Sequence, residues 1–92
     1  MGYARIRPKR LAEKLVLLRT TLGLSQNQLI NALAVDLTQN RISEYETDKG
    51  EPPLSVLLRY ARVAGICVEV LIDDELDLPD KLPAKSKHNT NA

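Results

Sequence analysis

Apolar positions recur with a helical period along most of this 92-residue chain. Leu11, Leu15, Leu18 and Leu22 follow one another at intervals of four, three and four, which puts them on one helix face. Pro8 suits the start of that helix and Gly23 its end. Ser25 opens a second helix, and Gln28 three residues on completes the form of a capping box. Leu29, Ile30 and Leu33 are its apolar side. After a short connection, "AVDL", Thr38 caps a third helix whose inward residues are Ile42 and Tyr45. "TDKGEPP", Thr47 to Pro53, is the clearest break. A fourth helix begins near Pro53 or Leu54, with Leu54, Leu57, Leu58 and Ala61 as its expected buried stripe and Gly65 interrupting it. "ICVEVLI" is rich in β-branched residues, which favour a strand, yet a short last helix suits an otherwise helical set better.

The pattern predicts an all-α compact bundle of about five short helices. Its expected divisions are a basic N-terminal arm at 1–8, a helical domain at 9–78, and a polar, disordered tail at 79–92. A chain of this length buries roughly 60–65 % of its unfolded surface, enough for one small core. One cysteine, Cys67, excludes an intramolecular disulfide and is read as a small buried residue rather than a redox sensor. The single histidine, His88, lies in the polar end, so no metal-ligand cluster and no cofactor are expected. No apolar run approaches the ~20 residues of a membrane span. Without catalytic His or Cys, metal cluster or phosphate-binding glycine loop, an enzyme is not expected. A cytoplasmic, nucleoid-associated location is.

Charge is unevenly placed. Residues 1–62 hold ten Lys/Arg and six Asp/Glu, whereas residues 63–92 hold three Lys and six Asp/Glu. The split suggests an anionic partner for the first part, or simply a solvated surface of uneven charge.

The most telling stretch is "LTQNRISEYE", Leu37 to Glu46. It places Gln39, Asn40 and Arg41 in the first turn of a short helix, where only Ile42 and Tyr45 can serve a core. With "LGLSQNQL" before it and "EPP" ahead of "LSVLLRYARVAGICVEVLI" after it, Leu22 to Ile72 resembles the phage-repressor-like, Cro-type helix-turn-helix family. The shared features are the Ser25–Gln26 opening, Leu29 three residues on, the Ile42–Ser43 pair, Glu46 ending the third helix, and Pro52 six residues later. Two features depart from the family. Ala34 stands where a turn glycine is usual, in a connection about two residues longer. Thr47–Asp48 replaces the usual Asn-Gly exit, with Gly50 displaced.

The resemblance implies a lambda-repressor-like domain with its recognition helix at about 39–47. Helices of that kind enter the major groove of duplex DNA N-terminus first. Gln39 and Asn40 have the groups to pair with adenine and Arg41 with guanine, while Glu44 can accept from a cytosine amino group or repel phosphate and set orientation. By the same resemblance Gln26 and the start of the second helix meet the DNA backbone. Ser25 and Thr38 are caps first and backbone contacts second; Ser43 touches phosphate or is merely small. Arg5, Arg7, Lys9 and Arg10 follow the DNA backbone, enter a minor groove, or form a frayed terminus.

Members of such families act as two-fold dimers on inverted repeats, which implies a homodimer joined through the last helix and the exposed end of the fourth. A dimeric, sequence-specific repressor is therefore the leading expectation. The same fold also serves antitoxins and adaptors, so a protein-interaction module with a protein partner through residues 66–80 is the alternative.

Overall fold

The computed structural model describes residues 8–83. Among them are five helices and no strand: α1 (Leu11–Thr21), α2 (Gln26–Leu33), α3 (Gln39–Glu46), α4 (Leu54–Ala64) and α5 (Val68–Ile72). The protein is all-α, and "ICVEVLI" contributes a short helix, not a strand.

Local chemistry fixes the helix starts. Ser25 and Gln28 form the complete capping box: the Gln28 N–H donates to Ser25 Oγ at 3.1 Å, and the Ser25 N–H donates to Gln28 Oε1 at 2.8 Å. Thr38 Oγ1 accepts the Arg41 N–H at 3.1 Å.

Helix ends repeat one device, a residue in the left-handed conformation whose turn satisfies the last carbonyls. Gly23 and Gly65 fill it after α1 and α4, with φ of 74° and 75°. After α2 and α3 it falls to Ala34 (φ 57°) and Asp48 (φ 63°). Lys49, one residue beyond Asp48, donates its N–H to the Glu44 carbonyl at 2.9 Å.

Packing closes the helices into a ring. α3 lies against both α1 and α2, α4 against α2 and α5, and α5 returns to α1. Leu15, Leu18, Leu29, Leu33, Ile42, Tyr60 and Leu71 are fully buried at the centre. None of the helices is long enough to be stable alone, so this shared core is what holds them. Val35 and Leu37 pack against it from the α2–α3 connection, which ties down that segment.

Three expectations need correction. The buried face of α4 is Val56, Leu57, Tyr60, Ala61 and Ala64, whereas Leu54 and Leu58 are exposed. The helix is rotated so that the Tyr60 ring, the largest fully buried side chain, fills the core. Leu54 and Leu58 then share the outer face with Ser55, Arg59 and Arg62. Cys67 is exposed, just ahead of α5, not buried. Leu82 is buried in the core, so the chain beyond residue 78 is not all polar tail. The remainder of the expected tail, 84–92, and arm residues 1–7 lie outside the described residues.

Finally, Lys9 and Arg10 are engaged within the fold. The segment after α5 folds back onto the start of α1, where the Asp74 carboxylate accepts the Lys9 and Arg10 N–H groups at 2.9 and 3.0 Å. The Arg10 guanidinium donates to the Asp74 carbonyl at 2.7 Å and to Asp77 at 2.6 Å. In return Lys14, buried on α1, donates its ammonium to the carbonyls of Val70 and Asp73, both at 2.8 Å, and so caps α5. Removal from water lowers the Lys14 pKa.

Candidate nucleic-acid interface

Thr38 ends an extended approach and starts α3, leaving Gln39, Asn40 and Arg41 exposed on its first turn. The opposite side of α3 is anchored by Ile42 and Tyr45, 0 % and 5 % exposed. A polar first turn thus stands on a fixed apolar base.

A hydrogen-bonded chain sets the position of that turn. Gln39 Nε2 donates to Gln26 Oε1 at 3.1 Å, and Ser43 Oγ donates to the same oxygen at 3.3 Å. Gln26 Nε2 in turn donates to Glu46 Oε1 at 3.2 Å. Glu46 also receives Arg19 Nε at 2.7 Å and Nη2 at 3.1 Å, while Arg19 Nη1 donates to the Leu24 carbonyl at 2.9 Å. One network therefore joins α1, α2 and α3. The hydrogen bonds that Arg19 donates to Glu46 raise its pKa further, which favours the charged guanidinium. With side-chain exposures of only 18 % and 6 %, Arg19 and Glu46 form a nearly water-free fork-to-carboxylate pair.

The residues singled out from the sequence divide as follows. Gln39, Asn40, Arg41 and Glu44 lie together on α3, the first three exposed and Glu44 partly so. Arg41 Nη1 donates to Glu44 Oε1 at 3.0 Å. Gln26 is half-buried and spends its side chain on Gln39, Ser43 and Glu46. Ser43 points to Gln26, and the hydroxyls of Ser25 and Thr38 serve as caps. Lys9 and Arg10 sit at the other end of α1, about 13 Å along the helix axis from Arg19. Arg5 and Arg7 lie outside the described residues.

The sequence pattern gives no role to Arg19 or Lys14, and Asp74 enters it only as part of the partner segment at 66–80. A signal existed for the first two. Lys14 is three residues after Leu11 and four before Leu18, inside the apolar stripe of α1. Arg19 is four after Leu15 and three before Leu22. A charge at such a position must find a partner. Asp74 carried no comparable signal, because its partners are backbone N–H groups 64 and 65 residues away.

Two short helices joined by a connection, the second presenting a polar N-terminal turn and locked to the first, define a helix-turn-helix protein. The chain belongs to the Helix-turn-helix family of the Cro/C1 type, whose match covers residues 15–67, more than half its length. The fold is accordingly lambda-repressor-like. Membership places the protein in a family of DNA-binding transcription regulators, one that is not typically enzymatic. No curated protein and no solved structure matches the chain. Among the described residues no helix is long and apolar enough to cross a membrane.

Proposed function

We propose that this protein is a sequence-specific reader of double-stranded DNA, acting as a repressor by occupying an inverted repeat as a dimer. The observation that carries this reading is the exposed first turn of α3, held to α2 and α1 by the Gln39–Gln26–Glu46–Arg19 chain. A groove-reading helix needs its donors and acceptors fixed in space before DNA arrives, because ordering them on binding weakens affinity.

In this reading Gln39, Asn40, Arg41 and Glu44 meet base edges. The N-termini of α2 and α3, at Ser25–Gln26 and Thr38, present N–H groups and positive helix ends to phosphate. Ser43 reaches the backbone only through Gln26. Lys9 and Arg10 contribute where the acidic segment leaves them accessible, and Arg5 and Arg7 follow the backbone as an arm. The dimer seam uses the outer face of α4, the end of α5 and the turn after it, where Leu54, Leu58, Ile72 and Leu76 are exposed. Leu54 and Leu58, four residues apart, lie on one face. The same seam offers the site for any protein partner through residues 66–80. An antitoxin or adaptor using its acidic end is less well supported, since Asp74 and Asp77 are already engaged by the start of α1.

Selection from random duplex DNA tests the reading. The protein should enrich an inverted repeat with half-sites about 34 Å apart. Recovery of DNA with no shared sequence would reject it.

A further inference from the structure

The exposed face of α3 carries an ion pair, Arg41 with Glu44, at 3.0 Å and one turn apart. Both side chains are largely solvated, at 57 % and 43 % exposure, and such pairs contribute little to stability. Its position matters more than its strength. Glu44 is fixed from behind: its carbonyl accepts the Lys49 and Gly50 N–H groups at 2.9 and 3.2 Å. Its side chain lies over the closing turn, where a Cβ built on Gly50 would sit 3.6 Å from Glu44 Cβ and 3.8 Å from Oε1. The carboxylate therefore draws the guanidinium along the helix toward the α3–α4 turn.

Free on a groove-facing helix, an arginine attaches to any phosphate within reach, whatever the sequence. Here each possible DNA partner must satisfy two groups. Phosphate offers acceptors only: it would take Arg41 and leave Glu44 unpaired beside a like charge. The major-groove edge of a G·C pair offers both kinds of group, guanine O6 and N7 as acceptors and the cytosine amino group as a donor. Adenine N7 and thymine O4 would take the arginine, and the adenine amino group would take the carboxylate, but adenine lacks the paired acceptors that hold a guanidinium by two bonds.

We propose that Glu44 is a specificity-determining residue that withholds Arg41 from the phosphate backbone and releases it to a G·C base pair, the two side chains reading that pair as a unit. This rests on the DNA-reading function proposed above.

A double-substitution cycle tests it, using the parent, Glu44→Ala, Arg41→Ala and the double variant on a selected site and on random duplex over a range of salt. Glu44→Ala should bind random duplex several-fold more tightly, and its log–log salt dependence should steepen by about 0.9, one added phosphate contact. Both changes should vanish when Arg41 is also alanine. Repeated selection with Glu44→Ala should lose the G·C preference at one position per half-site, and Glu44→Gln, which keeps an acceptor, should retain part of it. Equal gains with and without Arg41 would show general charge repulsion and overturn the proposal, as would an unchanged salt dependence. A parent that enriches no sequence would overturn the DNA-reading function itself; a parent that enriches a site with no G·C preference dependent on Arg41 and Glu44 would overturn this pairing alone.

Discussion

Arg19 Nε and Glu46 Oε2 lie 2.7 Å apart where the end of α1 meets the end of α3, with Glu46 almost wholly removed from water. Breaking such a pair leaves the other charge stranded, which is why single removal costs far more than the pair contributes. Glu46→Ala should destabilise the protein by about 3 kcal/mol, read from the urea midpoint. Below its unfolding range the variant should still bind its site poorly, because Gln26 loses the acceptor that holds it under Gln39. Full stability in Glu46→Ala would contradict the network.

Ala34 occupies a left-handed conformation that α2 needs for its exit. A Cβ there is strained, and glycine relieves the strain while loosening the unfolded chain. Ala34→Gly is expected to gain about 0.5–1 kcal/mol net. A loss of stability in equilibrium unfolding would mean that the turn is held by something other than its backbone angle.

Acid should loosen the clasp between α1 and the segment after α5. Asp74 has a pKa below its ordinary value of 3.8, first because of the Lys9 N–H and then the Arg10 N–H. A carboxylate with a depressed folded pKa stabilises the fold above its unfolded pKa, and that contribution is lost as pH falls through the folded value. Stability of the parent should therefore fall more steeply than that of Asp74→Asn as pH drops from about 4. Parallel profiles in urea titrations would show that the carboxylate charge plays no part.

Tyr60 is fully buried, and its hydroxyl has no hydrogen-bond partner among the described residues. Burial, with Glu46 nearby, strongly raises its pKa. An unpaired buried hydroxyl adds nothing that a phenyl ring lacks. Tyr60→Phe should match or exceed the parent in thermal unfolding, whereas Tyr60→Ala should cost about 3–5 kcal/mol. A clear loss in Tyr60→Phe would reveal a hydrogen bond to that oxygen.

Much of this architecture was legible in the sequence because its signals are local. The leucine spacing of α1, the Ser25–Gln28 box and the Thr38 cap each act within one helix turn, and each formed as read. The face of α4 was misjudged because apolar residues surround that helix. Leu54 and Leu58 fit a helical stripe as well as Val56 and Tyr60 do, and only packing against α2 and α5 decides between them. Long-range polar links were invisible for a different reason. Nothing local tells Asp74 from its acidic neighbours, or marks Leu82, among prolines and charges, as a core residue. At the site, the residues of the exposed turn could be picked from their type and place, but not the chain of Arg19, Glu46 and Gln26 beneath them.

The proposed DNA reading stands or falls with the first turn of α3 as a reader of base edges. Its direct test is the affinity of Asn40→Ala and Gln39→Ala for a selected site and for random duplex at one salt concentration. Each variant should remain folded, lose roughly 1–3 kcal/mol on the selected site, and bind random duplex as the parent does. Equal binding of parent and variants to both DNAs would contradict the assignment of α3 as the recognition helix.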